Sequence, residues 1–78
     1  MTVSREDIRR WIEVTLLDGR AIENDSNLLL TGLVDSIGVM TLVAHLEETT
    51  GAPIPPEDVV LENFETVDAM AAYLEQRP

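Results

Sequence analysis

In three separate stretches of this chain, apolar residues return at every third or fourth position, and nowhere do they alternate. That period belongs to helices packed on one side, so the expected fold is all-α. Ile8, Trp11, Ile12 and Leu16 form the first stripe; Val39, Leu42, Val43 and Leu46 the second; Val67, Met70, Ala71 and Leu74 the third. Caps bracket each. Ser4, with Asp7 three residues on, reads as a helix start, and Gly19 as a stop after a helix over Ser4–Asp18. The second helix begins near Asp35 and ends before Gly51. The third begins at Thr66. Pro53, Pro55 and Pro56 break the chain between them, and Pro56 suits the first turn of a short helix through Leu61, with Glu57 and Asp58 near its N-terminus. The expectation is a small bundle of three longer helices plus one short helix, occupying 1–78 as one domain.

Residues 20–34 fit no period. Asn24, Asp25, Ser26 and Asn27 make a turn cluster, and Leu28, Leu29, Leu30 and Leu33 follow irregularly. They read as a long loop between the first and second helices, pinned by leucines. Long irregular loops in small domains tend to be functional.

Composition removes several kinds of chemistry. There is no cysteine and one histidine, so disulfides, thiolate catalysis and Cys/His metal clusters are excluded. His45 has no Ser or Cys partner at a readable spacing and is expected at a boundary between helix faces. Fifteen acidic residues against five arginines give a net charge of −10, which disfavours nucleic acid and anionic membranes and favours partners with basic patches. No segment nears the roughly 20 apolar residues that span a bilayer, and the N-terminus lacks a signal-peptide pattern. A cytoplasmic monomer is the expectation.

The second helix carries more apolar surface than its core stripe needs. On a 3.6-residue turn, Ile37, Met40, Thr41, Ala44, Glu47 and Glu48 share a face that begins apolar and ends acidic. Either the preceding loop covers this face, or it is a docking surface with apolar contacts at the centre and charge at the rim. Ser36 starts the same helix after Asp35. By themselves these two residues read as a helix cap.

Their context extends the reading. Gly32-Leu33-Val34-Asp35-Ser36-Ile37 resembles the modification site of acyl and peptidyl carrier proteins. Leu42-Val43-Ala44-His45-Leu46-Glu47-Glu48 is similar to the helix after the carrier serine, and Gly51-Ala52-Pro53-Ile54-Pro55-Pro56-Glu57-Asp58 to the loop that follows it. Phe64-Glu65-Thr66-Val67-Asp68-Ala69-Met70 resembles the approach to the last helix. The match runs from about Leu28 to Leu74, at the length of a free-standing carrier.

This resemblance implies that a phosphopantetheinyl transferase moves 4'-phosphopantetheine from coenzyme A to the Ser36 hydroxyl, with Asp35 assisting the Mg²⁺-dependent step. The arm's thiol would hold an acyl, aminoacyl or polyketide intermediate as a thioester. Loading enzymes and downstream synthases would read Ile37, Met40, Thr41, Ala44, Glu47 and Glu48. A phosphodiester at Ser36 would sit where helix amides favour an anion, and a chain without cysteine needs an imported thiol for thioester chemistry. The chain departs from fatty-acid carriers at Gly38 and Thr41, positions commonly acidic there. It resembles free-standing carriers of specialised pathways instead. The competing reading is an acidic interaction module in which Ser36 is only a cap.

Overall fold

Helix α1 spans Arg5–Thr15 and starts as the sequence predicts: the Ser4 hydroxyl accepts a hydrogen bond from the Asp7 amide at 3.1 Å. The structure is a computed structural model and describes residues 3–76. The helix stops before the expected Asp18. The Leu16 and Leu17 amides both return to the Ile12 carbonyl, and Asp18 and Gly19 take positive φ angles of 57° and 90°. The Gly19 amide then closes the end on the Glu13 carbonyl at 2.7 Å. Gly19 is thus part of a terminator that begins three residues earlier, with Asp18 sharing the left-handed turn. Ile8 and Ile12 are fully buried, while Trp11 and Leu16 pack half-buried at the edge of the core.

The segment 16–35 is the expected long loop, but its leucines do not act together. Leu28 is fully buried, Leu29 and Leu33 are half-buried, and Leu30 is 74% exposed. Ile22 and Val34 supply the remaining buried anchors. Main-chain bonds do the rest. The Leu28 amide donates to the Glu65 carbonyl at 2.8 Å, the Val34 amide to the Leu28 carbonyl at 3.0 Å, and the Asp68 amide to the Asn24 carbonyl at 3.0 Å. Glu13 reaches across to accept from the Ile22 amide at 2.9 Å. The loop therefore satisfies its backbone against the far end of the bundle.

Helix α2 spans Ser36–Thr50 and ends on Gly51, whose φ of 72° is the left-handed conformation a stop requires. The short helix expected from Pro56 to Leu61 resolves into two turns, a 3-10 turn over Pro56–Asp58 and helix α3 over Leu61–Phe64. Val59 leaves helical geometry with ψ 74° and Val60 is extended, which separates them. Glu57 and Asp58 sit in the first turn as expected, but no side chain caps it. Asp58 instead accepts from the Tyr73 hydroxyl at 2.7 Å, tying the turn to the last helix.

Helix α4 spans Val67–Gln76, and its first turn is held by the Thr66 hydroxyl, which accepts from the Ala69 amide at 2.9 Å. Val67, Met70 and Ala71 are buried and Leu74 half-buried. α4 packs against α1 and α3, and Phe64 of α3 closes the core beneath it. Each fully buried Ile, Leu or Phe contributes roughly 1.5–3 kcal/mol from burial. No strand occurs among the described residues, in keeping with the all-α class.

Candidate functional site

The first turn of α2 is built from the loop before it. Gly32 takes φ 76°, and its amide bonds back to the Leu29 carbonyl at 3.2 Å. Val34 turns into the core, leaving only 5% of its surface exposed, and delivers Asp35 to the helix start. Asp35 is the cap: its backbone is extended, and its Oδ1 accepts from the Gly38 amide at 2.8 Å. This corrects the view of Ser36 as a cap. Ser36 is the first helical residue, exposed, and its hydroxyl makes no hydrogen bond to any described residue. A free primary hydroxyl thus stands at the positive end of a 15-residue helix, beside a carboxylate fixed by the helix itself.

A cleft of about 530 Å³ opens beside Ser36. Its walls are apolar, with Leu29, Val39 and Met40 on one side and Val60, Leu61 and Phe64 on the other. A second cleft, about 320 Å³, borders the same turn, between the end of α1 at Thr15 and Leu16 and the start of α2 at Ile37, Gly38 and Thr41. Ser36 stands at the rim of the first cleft, and Asp35 borders both.

The surplus face of α2 is open. Ile37 is 77% exposed and Met40 65%, and Thr41, Ala44 and Glu48 are exposed beside them. The loop does not cover this face, because its bonds and buried anchors lead to Glu65, Asp68 and the core. Glu47 departs from the group. It is half-buried, and its Oε2 accepts from the Ile54 amide at 2.7 Å. Sequence reasoning missed Val60 and Leu61, both exposed apolar residues on the cleft's far wall. Leu61 opens a four-residue helix, too short to show a period.

The residues set aside as chemical groups stay apart from Ser36. His45 stacks on Trp11, with ring centroids 4.1 Å apart and planes 7° from parallel, which fixes α2 against α1. No group of three or more His, Cys, Asp or Glu side chains is placed to hold a metal among the described residues. Among the described residues no helix is long and apolar enough to cross a membrane.

An unbonded serine thus begins α2, with an open apolar face behind it. The chain belongs to the family described as the phosphopantetheine attachment site, whose model matches residues 8–74. It is also similar to a D-alanyl carrier protein of Abiotrophia defectiva, with 34% identity over 53 residues that cover 68% of this chain and 67% of the relative. The family is one of non-catalytic carriers that take a covalent 4'-phosphopantetheine and work with a phosphopantetheinyl transferase and biosynthetic enzymes. The interaction-module reading gives way to a carrier.

Proposed function

We propose that the Ser36 hydroxyl accepts the 4'-phosphopantetheine arm and that the loaded arm carries an aminoacyl group. The observation that supports the acceptor is the division of labour at the helix start: Asp35 caps α2, which leaves the Ser36 hydroxyl exposed and unbonded. The arm's phosphate would meet the first amides of α2, and its thiol would supply the thioester chemistry that no side chain here offers. Asp35 has a second carboxylate oxygen without a partner among the described residues, an oxygen donor suited to a hard cation such as Mg²⁺ during transfer. The ion would be shared with the transferase and coenzyme A.

Aminoacyl cargo is favoured by the similarity to a D-alanyl carrier protein. The apolar cleft beside Ser36 favours a second reading, an acyl or polyketide chain. The two separate on loading. An aminoacyl carrier forms a hydroxylamine-sensitive thioester with an amino acid and an aminoacyl-activating ligase. A carrier of acyl chains forms one with acyl donors and leaves amino acids unused.

Ile37, Met40, Thr41, Ala44 and Glu48 form the docking face in this account, with Leu61 beside it and Glu47 supporting it from within. Between residues 21 and 76 the chain has no Lys or Arg, so α2 offers a partner carboxylates and no cationic Lys or Arg of its own. Loading enzymes and synthases with basic patches match it. The protein acts as one cytoplasmic, monomeric carrier domain over 1–78. Proteolytic mapping after incubation with coenzyme A, Mg²⁺ and a broad-specificity transferase tests the acceptor. The arm belongs on the peptide containing Ser36, and an arm on any other Ser or Thr overturns the assignment.

A further inference from the structure

Gly38 has no side chain for a steric reason visible in the turn it occupies. A Cβ built there would stand 2.9 Å from Val34 Cγ1 and 3.4 Å from Asp35 Oδ1. The first distance is shorter than carbon atoms tolerate, whereas the second is an ordinary contact with the carboxylate that caps the helix. Val34 has little freedom to yield. It is 5% exposed, its amide is bonded to the Leu28 carbonyl at 3.0 Å, and a β-branched side chain is stiff about χ1. The Val34 Cβ, by contrast, lies 3.9 Å from the same point, an ordinary contact. The conflict is therefore with one methyl group.

We infer that Val34 is a positioning residue for arm transfer: packed under the bare backbone of Gly38, it sets the turn that aims Asp35 and Ser36. The Gly38 amide is the group the Asp35 carboxylate binds, so the Val34–Gly38 contact fixes the cap, and the cap fixes the residue after it. Gly38 costs helix propensity. The close fit to Val34 offsets this by holding the turn in one geometry. The role assigned to Ser36 rests on the proposed function above, while the contact itself does not.

The test is a double-mutant cycle on the apo protein, comparing wild type, Gly38→Ala, Val34→Ala and the double variant. Each is assayed below its melting temperature for arm transfer from coenzyme A by a broad-specificity transferase. Hydrogen exchange at the residue 38 amide is read in parallel. Gly38→Ala is expected to lower kcat on the order of 10-fold with KM little changed, as a misaimed nucleophile does. Its amide protection falls as the cap loosens. Val34→Ala alone is expected to lower both as well, because it removes the packing under Gly38, whereas in the double variant the new methyl refills that space and restores both. A Gly38→Ala variant with wild-type kcat overturns the inference. So does a loss carried in KM, which places the residue in docking, or a loss that persists with Ala at 34, which places it against the transferase. If wild type accepts no arm, the acceptor assignment fails, and amide protection alone decides the positioning. Protection unchanged by Gly38→Ala then removes it.

Discussion

The Glu47 carboxylate accepts a hydrogen bond from the Ile54 amide at 2.7 Å, fastening the second half of α2 to the proline-rich loop beyond Gly51. In sequence, Glu47 and Glu48 are adjacent acids at the end of one face. In the structure they have different duties. Glu48 is exposed, whereas Glu47 satisfies the backbone next to buried Ile54. Glu47→Ala should cost about 1–3 kcal/mol, the penalty for stranding a partly buried donor. Glu48→Lys should change stability by no more than about 0.5 kcal/mol, as surface substitutions do, yet slow loading by a basic partner and flatten its salt dependence. Chemical denaturation and loading kinetics on the two variants check this. Equal stability losses would contradict the division.

The cap that Asp35 forms and the Mg²⁺-binding role proposed for it are separated by one pair of substitutions. Asp35→Asn keeps an acceptor for the Gly38 amide, since asparagine caps as well as aspartate. Its melting temperature should stay near wild type while arm transfer drops, because the charge that helps hold Mg²⁺ is gone. Asp35→Ala should lose both, with a stability cost of about 1 kcal/mol. Wild-type transfer by Asp35→Asn would leave Asp35 as a cap and nothing more.

The helices and their caps were legible in the sequence because Ser4, Thr66, Asp35 and Gly51 act through local bonds, three or four residues away. The open face of α2 was legible for the same reason: Ile37 and Met40 fall off its core stripe by simple periodicity. What the sequence hid depends on distant partners. Glu47 bonds seven residues ahead, and Asp58 reaches Tyr73 fifteen residues on. The clash that keeps Gly38 bare comes from a side chain on the loop, not from the helix. The break at Val59 and Val60 has no glycine or proline to announce it. Leu30 resembled its neighbours in type and differs from them only in where the turn points it.

Tyr73→Phe tests the tie between α4 and the 3-10 turn. The Tyr73 hydroxyl donates to Asp58 at 2.7 Å, and removing it should cost about 1 kcal/mol. The ring's tilted contact with Phe64, at 5.9 Å between centroids, is retained in the variant. A loss much larger than this, read by urea denaturation, would mean that the hydroxyl supports more than the turn.

Met40→Asp places a charge at the centre of the open face. Met40 is 65% exposed, so stability should shift by no more than about 0.5 kcal/mol. Binding to a loading enzyme should weaken by 1 kcal/mol or more, about fivefold in KM, if Met40 is a central contact. Unchanged KM for the transferase and for the loading enzyme would remove Met40 from the docking face.

In the proposed function, one exposed serine converts this scaffold into a carrier. Intact-mass spectrometry of wild type and Ser36→Ala, each incubated with coenzyme A, Mg²⁺ and a broad-specificity phosphopantetheinyl transferase, tests it most directly. The account predicts a gain of a single phosphopantetheine by wild type and none by Ser36→Ala, with both proteins equally folded. A Ser36→Ala protein that still takes the arm, or a wild type that takes none from several transferases, would contradict it.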